Sequence, residues 1–355
     1  MFLALRELKR SKLRYGLIGV IMILLSFLVL VISGLANGLS HDNASFIQNM
    51  DAKSFLLSKD SEGKLLRSQI DLENEDIKKE IAKKQGVAPF RIQMSTYLKG
   101  NSSKKVDVAL VSSKRESIIE PKIIEGRKYT NSETEAVADE SIKSKGVDLG
   151  DVITEPITKH KFKIVGFTKD KMFSHAPVVF VNETVWDKIS QPNQKNYNAI
   201  VMDKDTNIKG YKISEKSEVL KGIPGYKEEQ GTLTMIISFL LVIAAVLIAV
   251  FFYVLTLQKT QQIGVLKAIG TTNKYLTFSL IIQSLLLTII SIALSIVFVI
   301  GLQYILPVAM PFSLPVTTII TYSAVFVVIS IVGTLISLYQ VLKVDALDAI
   351  GGGAQ

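Results

Sequence analysis

Residues 258–275 read QKTQQIGVLKAIGTTNKY, and they separate two long apolar runs, LTMIISFLLVIAAVLIAVFFYVLTL at 233–257 and LTFSLIIQSLLLTIISIALSIVFVIGLQYIL at 276–306. A hydrocarbon core about 30 Å thick needs roughly 20 apolar residues in a helix. Both runs exceed that length without an Asp, Glu, Lys or Arg. Two further runs, 15–39 and 316–342, meet the same test. The chain is expected to cross a membrane four times, once near its N-terminus and three times after Leu233, around a polar stretch at 40–231. Small residues inside the runs, such as Gly16, Gly19, Ser33, Gly34, Ser291, Ser295 and Gly333, read as packing faces between helices.

The first run is too long for the apolar region of a signal peptide, and it leaves through SGLANGLSHDN without a small-x-small cleavage site. It reads as a retained anchor. Orientation follows from basic residues near the spans. The amphipathic segment 1–14 carries Arg6, Lys9, Arg10, Lys12 and Arg14 against Glu7, and the loop at 258–275 carries Lys259, Lys267 and Lys274 with no acid. By the positive-inside rule both termini, including the tail 343–355, and this loop are cytoplasmic, and the domain at 40–231 is outside. The net charge of +9 is thereby a topology signal. No nucleic-acid-binding motif accompanies it.

The chain contains no cysteine, which excludes disulfides, thiolate metal sites and cysteine catalysis. The outer domain must therefore be stabilised by its own core. Strands are expected at 54–58, 106–112, 161–167, 178–182 and 198–202, each short and rich in β-branched or aromatic residues. A helix is expected at 71–86, where DLENEDIKKEIAKKQG begins with acids and ends in glycine. The fold class is thus an α-helical membrane domain of four helices, one plus three, with an α+β extracytoplasmic domain inserted between helices 1 and 2. Asn101 and Asn182 begin glycosylation patterns too short to carry weight. The final GGGAQ reads as a frayed tail.

In the loop, Ile263, Leu266 and Ile269 recur every third position, giving a short amphipathic helix that Gly270 can end. Such a helix either rests on lipid headgroups or meets a partner. No G-x-x-x-x-G-K-(S/T) sequence is present, so ATP is not bound here by a phosphate loop. Beyond the first run, Leu35, Leu39, Phe46 and Met50 share one helical face, so the span continues outward as a stalk with an apolar stripe. Two readings of that stripe stand: packing against a partner helix, or a pocket for a flat apolar ligand with Met50 as a soft contact and Phe46 as a stacking wall.

The loop resembles the coupling helix of the MacB/FtsX superfamily of ABC-transporter permeases, in which a polar or acidic residue precedes IG-(I/V)-L-(K/R)-A-(I/L)-G. The match runs through Gln262, Ile263, Gly264, Leu266, Lys267, Ala268, Ile269 and Gly270. Similar segments follow the family's order elsewhere: EAVADESIKSKGVDLGDVI at 135–153, KFKIVGFTKD at 161–170 and VLKVDALDAIGG at 341–352. The sequence departs from the family pattern at Gln262, where many members carry Glu, so the resemblance implies no salt bridge to the ATPase there, and after the last run, where Val344 replaces the usual Asp or Asn and the usual Pro and final basic residue are missing. The resemblance implies a homodimer of permeases in membrane lipid, working with two copies of a separate ABC ATPase that binds the ATP. It implies no catalytic residue, no metal site and no intrinsic cofactor in this chain.

The segment ISGLANGLSHDNASFIQNMDA at 32–52 resembles the corresponding part of the haem-efflux permeases of Gram-positive bacteria. This implies haem as the transported ligand, extracted from the outer leaflet and released outward. Haem iron accepts His, Met or Tyr ligands, so the candidates around the stalk are Phe46, Met50, His41, Tyr226 and Met235. On an unbroken helix His41 lies on a different face from Phe46 and Met50. The alternatives are a MacB-like exporter of peptide, antibiotic or lipoprotein, an FtsX-like regulator of a cell-wall hydrolase, and a membrane sensor without an ATPase.

Overall fold

The computed structural model describes residues 12–72, 77–78, 86–100, 104–114, 116–130, 132–189, 196–203, 210–307 and 310–342. The segment 1–11, the tail 343–355, Asn101 and most of the expected helix at 71–86 lie outside them, although Ile77 and Lys78 are helical and Ile77 is buried. The chain divides into two compact units, one of residues 1–37 and 232–355, the other of residues 38–231.

Among the described residues of the first unit, four helices are long and apolar enough to cross a membrane. They are α1 (Lys12–Gln48, which continues into the second unit), α3 (Tyr226–Leu257, which begins there), α5 (Asn273–Ile305) and α6 (Val316–Leu342). The short helix α4 (Thr260–Ala268) lies between α3 and α5. Tyr15, Ile18, Met22 and Val29 of α1 pack with Ala244, Ile248 and Phe252 of α3, Leu287 and Ile292 of α5, and Phe326 of α6. The small polar residues do more than permit close approach. Ser26 and Ser295 Oγ atoms are 2.5 Å apart, Thr288 donates to Ser330 at 2.8 Å, and Ser337 donates to Thr256 at 2.7 Å. In an apolar medium such bonds are worth roughly 0.6 kcal/mol each. The loop between α5 and α6 returns to α1, where Ser313 N–H donates to Gly34 O at 3.0 Å and Asn37 donates to Thr318 Oγ1 at 3.0 Å.

The second unit is built on one mixed sheet, in the order β11-β1-β10-β2-β3-β9-β5-β7-β4. Its strands are β1 (Ser54–Ser58), β2 (Val87–Lys99), β3 (Lys105–Ser113), β4 (Glu125–Gly126), β5 (Glu135–Asp139), β6 (Val152–Thr154), β7 (Lys161–Thr168), β8 (Met172–Phe173), β9 (Ala176–Asn182), β10 (Ala199–Met202) and β11 (Tyr211–Glu215). Pairing is parallel for β3 with β9 and β5 with β7, and otherwise antiparallel. A helix α2 (Lys216–Lys221) follows β11. Alternate residues serve two cores. Ala109, Val111, Val178 and Phe180 join Phe46 and Ile47 of α1, and Met50 just beyond its end, on one face, while Val108, Leu110, Val179 and Val181 join Trp186 and Phe162 on the other. With both faces covered, the central strands read as continuous apolar runs.

The five expected strands are present. The sequence reading did not assign β2, where Pro89, Arg91, Gln93 and Ser95 interrupt the apolar pattern, although Pro89 sits within the ladder opposite Ile200. The pattern at Asn182 is no glycosylation acceptor here: the side chain is buried and caps a turn by accepting from Thr184 N–H at 3.0 Å.

Gly34 faces the Phe312 ring so closely that an added Cβ would collide with it, whereas nothing lies within 4 Å of a Cβ at Gly16. Gly34→Ala should therefore lower the temperature at which the purified chain leaves its monodisperse peak in detergent, while Gly16→Ala should hold or raise it through about 1 kcal/mol of helix propensity.

Candidate functional site

The end of α1 inside the sheet-containing unit has two distinct sides. Its apolar side enters the core: Phe46 is 2% exposed, with ring centroids 5.9 Å from Phe90 and 5.6 Å, edge-on, from Phe180, and Met50 is 5% exposed beside it. Its polar side is laced to residues 170–175. His41 Nε2 lies 3.1 Å from Asp170, Met172 N–H donates to Ser45 Oγ at 2.9 Å, Ser174 N–H donates to Asn43 O at 2.7 Å, and Lys171 Nζ donates to Asn49 O at 3.2 Å.

At the tip of this lacing, Ser174 and His175 form the two-residue turn between β8 and β9, with φ of 49° and 59°. Consecutive positive φ values suit a hairpin turn of this length but favour Asn and Gly. Non-glycine residues remain in that region when their surroundings hold them there. His175 is held from both sides. Nδ1 is 2.8 Å from Asp42 of α1 and Nε2 is 2.9 Å from Glu229 of α3, which also accepts from Asn43 Nδ2 at 3.1 Å. Ionised carboxylates only accept hydrogen bonds, so this arrangement requires both ring nitrogens to carry protons. Burial pulls the imidazole pKa down, and the hydrogen bonds and charges of Asp42 and Glu229 outweigh it, leaving the pKa raised.

Three of the five candidate ligand residues meet at one core in the sheet-containing unit. Phe46 and Met50 are adjacent in the core and border a cavity of about 290 Å³. Tyr226 packs against that same core, and its hydroxyl accepts from Ser40 at 3.3 Å and Gln48 at 3.4 Å. His41 is taken up by Asp170. Met235 is 54% exposed on α3 in the helical unit. Sequence reasoning missed His175, Asp42 and Glu229, because the contact joins positions more than 50 residues apart through a turn that lacks the usual glycine.

Helix α4 also has two sides. Ile263 and Leu266 pack against Leu276 and Leu280 of α5, while Gln262, Val265, Ala268 and Ile269 are exposed. Ile269 was expected on the same stripe as Ile263 and Leu266, but the helix ends at Ala268 and Ile269 is its cap, 73% exposed. Gly270 follows at φ 94°, the left-handed conformation that glycine accepts most readily. At the other end, Lys259 Nζ donates to the Gln283 side-chain oxygen at 2.7 Å, and Tyr15 OH donates to the same oxygen at 3.0 Å. The start of α4 is thereby bonded to α5 at the oxygen that α1 also bonds.

The raised pKa of His175 has a definite sign in stability. The stabilisation is fully present below the ordinary imidazole value near 6.5 and is lost as pH rises through the folded-state value. The thermal midpoint of the full chain in detergent should fall as pH rises from about 6.5 through the raised folded-state value, and His175→Gln should remove that slope. An unchanged slope in the variant would assign the effect elsewhere.

Comparison with known proteins places this architecture. Residues 234–346 match the FtsX-like permease C-terminal family. A hemin transport system permease protein HrtB of Staphylococcus haemolyticus is 32% identical over 99% of both chains, and its counterpart in Staphylococcus epidermidis is 33% identical over 99% of this chain and 100% of the relative. An uncharacterized ABC transporter permease of Mycobacterium tuberculosis is 23% identical over 99% of both chains. From the full-length identity and the FtsX-like match, the chain belongs to the MacB/FtsX superfamily of ABC-transporter permeases, among the HrtB-type members.

Proposed function

We propose that this chain is the permease subunit of a haem-efflux ABC transporter, a homodimer driven by two copies of a separate ATPase subunit. The reading is carried by end-to-end similarity to permeases named for hemin transport. Both termini and α4 are cytoplasmic, and the sheet-containing unit, residues 38–231, is extracytoplasmic, as the basic residues of 1–14 and 258–275 favour. The domain limits are those of the sequence reading, with spans at 15–39, 233–257, 276–306 and 316–342.

In this function α4 is the coupling helix. Val265 and Ile269 supply an apolar contact for the ATPase, and Gln262 supplies a neutral hydrogen-bonding group. Ile263 and Leu266 anchor the helix to α5. Displacement of α4 reaches α1 through Lys259, Gln283 and Tyr15. Haem drawn from the outer leaflet meets the stalk of α1, near Phe46 and Met50, and is released outward. Nothing in this sequence of events requires the chain to make or break a covalent bond.

Two experiments test the proposal. A strain lacking this permease and its ATPase should lose tolerance to excess haem, and the pair together should restore it. Normal tolerance in the deletion strain would remove haem and leave a peptide, antibiotic or lipoprotein exporter, or a non-transporting regulator of a cell-wall hydrolase. For α4, the double variant Val265→Asp with Ile269→Asp should weaken ATPase association at least about tenfold, equivalent to ~1.4 kcal/mol, with the permease still folded. Leu266→Asp, which buries a charge between α4 and α5, should instead lower permease stability. Equal ATPase binding by the double variant and the parent would overturn the coupling assignment.

A further inference from the structure

The cavity beside the end of α1 has a divided lining. Phe46, Met50, Ile118 and Ile119 give it an apolar floor, and its rim carries Lys122, Lys169 and Lys171 together with Asp51, Glu120 and Asp170. The charges are distinguished by their partners. Asp170 is drawn to His41 at 3.1 Å and Glu120 to Lys128 at 3.0 Å, and neither partner lines the cavity. Asp51 shares the rim with Lys122, Lys169 and Lys171.

Lys171 is the most constrained of the three. It is partly buried, and its Nζ donates to the backbone oxygen of Asn49. Burial lowers its pKa, the charges of Asp51, Asp170 and Asp139 act against that, and the nearby charge of Lys122 adds to it. Like charges held around an apolar floor favour an anion that brings its own apolar body.

We infer that this cavity binds an amphipathic anion, with the apolar part on Phe46, Met50, Ile118 and Ile119 and a carboxylate or phosphate against Lys122, Lys169 and Lys171. At about 290 Å³ the cavity takes one edge of a large flat molecule, or one acyl segment, rather than a whole drug-sized ligand. Two sources share this chemistry: a porphyrin carrying propionates, and a fatty acid or anionic lipid. The porphyrin source rests on the haem-efflux reading; the anion site does not. Recognition here uses the acid edge and requires no axial ligand to iron.

The test uses the full chain in phosphatidylcholine nanodiscs, with binding followed by porphyrin fluorescence anisotropy. The probes are iron-free protoporphyrin IX and its dimethyl ester, and oleate serves as competitor. Phe46→Ala is avoided because loss of a core aromatic costs about 3–5 kcal/mol. Lys122→Gln and Lys169→Gln alter exposed side chains, and the triple variant adds Lys171→Gln. The parent should bind the free acid more tightly than the ester. The triple variant should bind the free acid about tenfold more weakly, as three partly exposed ion pairs of about half a kcal/mol each would give, and the ester unchanged. The Lys122→Gln and Lys169→Gln double variant should show an intermediate loss.

Displacement of the porphyrin by oleate in the parent, with less displacement in the triple variant, would support the anion site and assign it to lipid carboxylates as well. Equal binding of acid and ester by the parent, or unweakened acid binding by both variants, would overturn the inference. The haem-tolerance experiment is scored separately, so loss of the haem reading and loss of the anion site remain distinguishable.

Discussion

A domain inserted between two long helices must return the chain to the place where it left, and here the return is fastened by one charged side chain. His175 lies between Asp42, on the outgoing helix α1, and Glu229, on the returning helix α3. Around it, Asn43 bonds to Glu229, and Ser40 and Gln48 bond to the Tyr226 hydroxyl. Glu229 sits in the first turn of α3, where a negative charge also suits the helix dipole. Protonation of the imidazole is essential to the arrangement. Without the proton one nitrogen would face a carboxylate lone pair to lone pair, and two carboxylates would be left close together with less charge to offset them.

This fastening explains why the turn at Ser174 and His175 accepts an unfavourable backbone. Asn or Gly would relax the turn, but neither carries two ring nitrogens in opposed directions. The lacing of residues 170–175 to α1 and to Asn49 just beyond it then fixes the depth at which Phe46 enters the core, because Ser45, which accepts from Met172, adjoins Phe46 on the same helix. The cavity beside Met50 follows from the same geometry. Its rim includes Lys169, Asp170 and Lys171 of the 168–171 turn, and its floor combines Phe46, from the helix that turn is bonded to, with Met50, Ile118 and Ile119.

Much of this was legible in the sequence where one physical requirement dominates. The four long helices follow from length and absence of charge. Strands β1, β3, β7, β9 and β10 follow from compact β-branched runs bounded by polar residues. Strand β2 was not legible, since it contains Pro89 and alternates polar groups whose partners come from distant segments; Ile92 N–H, for example, donates to the Asn198 side chain at 2.7 Å. Helical spacing put Phe46 and Met50 on one face; both enter the same core, but the helix ends at Gln48, so Met50 reaches it from beyond the last turn. The engagement of His41 by Asp170, and of Asp42 by His175, depends on tertiary contacts across more than 100 residues that no local period encodes.

Helix α1 contains no proline and runs unbroken over its 37 residues, about 55 Å at 1.5 Å per residue. Near its start, Tyr15 shares the Gln283 oxygen with Lys259 at the head of α4; near its end lie Asp42, Phe46 and Met50. Neither attachment rests on apolar packing alone. Each is a hydrogen-bonded contact with a preferred direction, so a shift of α4 is not absorbed by sliding of side chains at low cost, as a purely apolar contact between helices would allow. In the proposed function, that is the property required of a helix that carries movement from an ATPase to a substrate face. The loop between α5 and α6 and the start of α6 add two further directional contacts to the same helix, at Gly34 and Asn37.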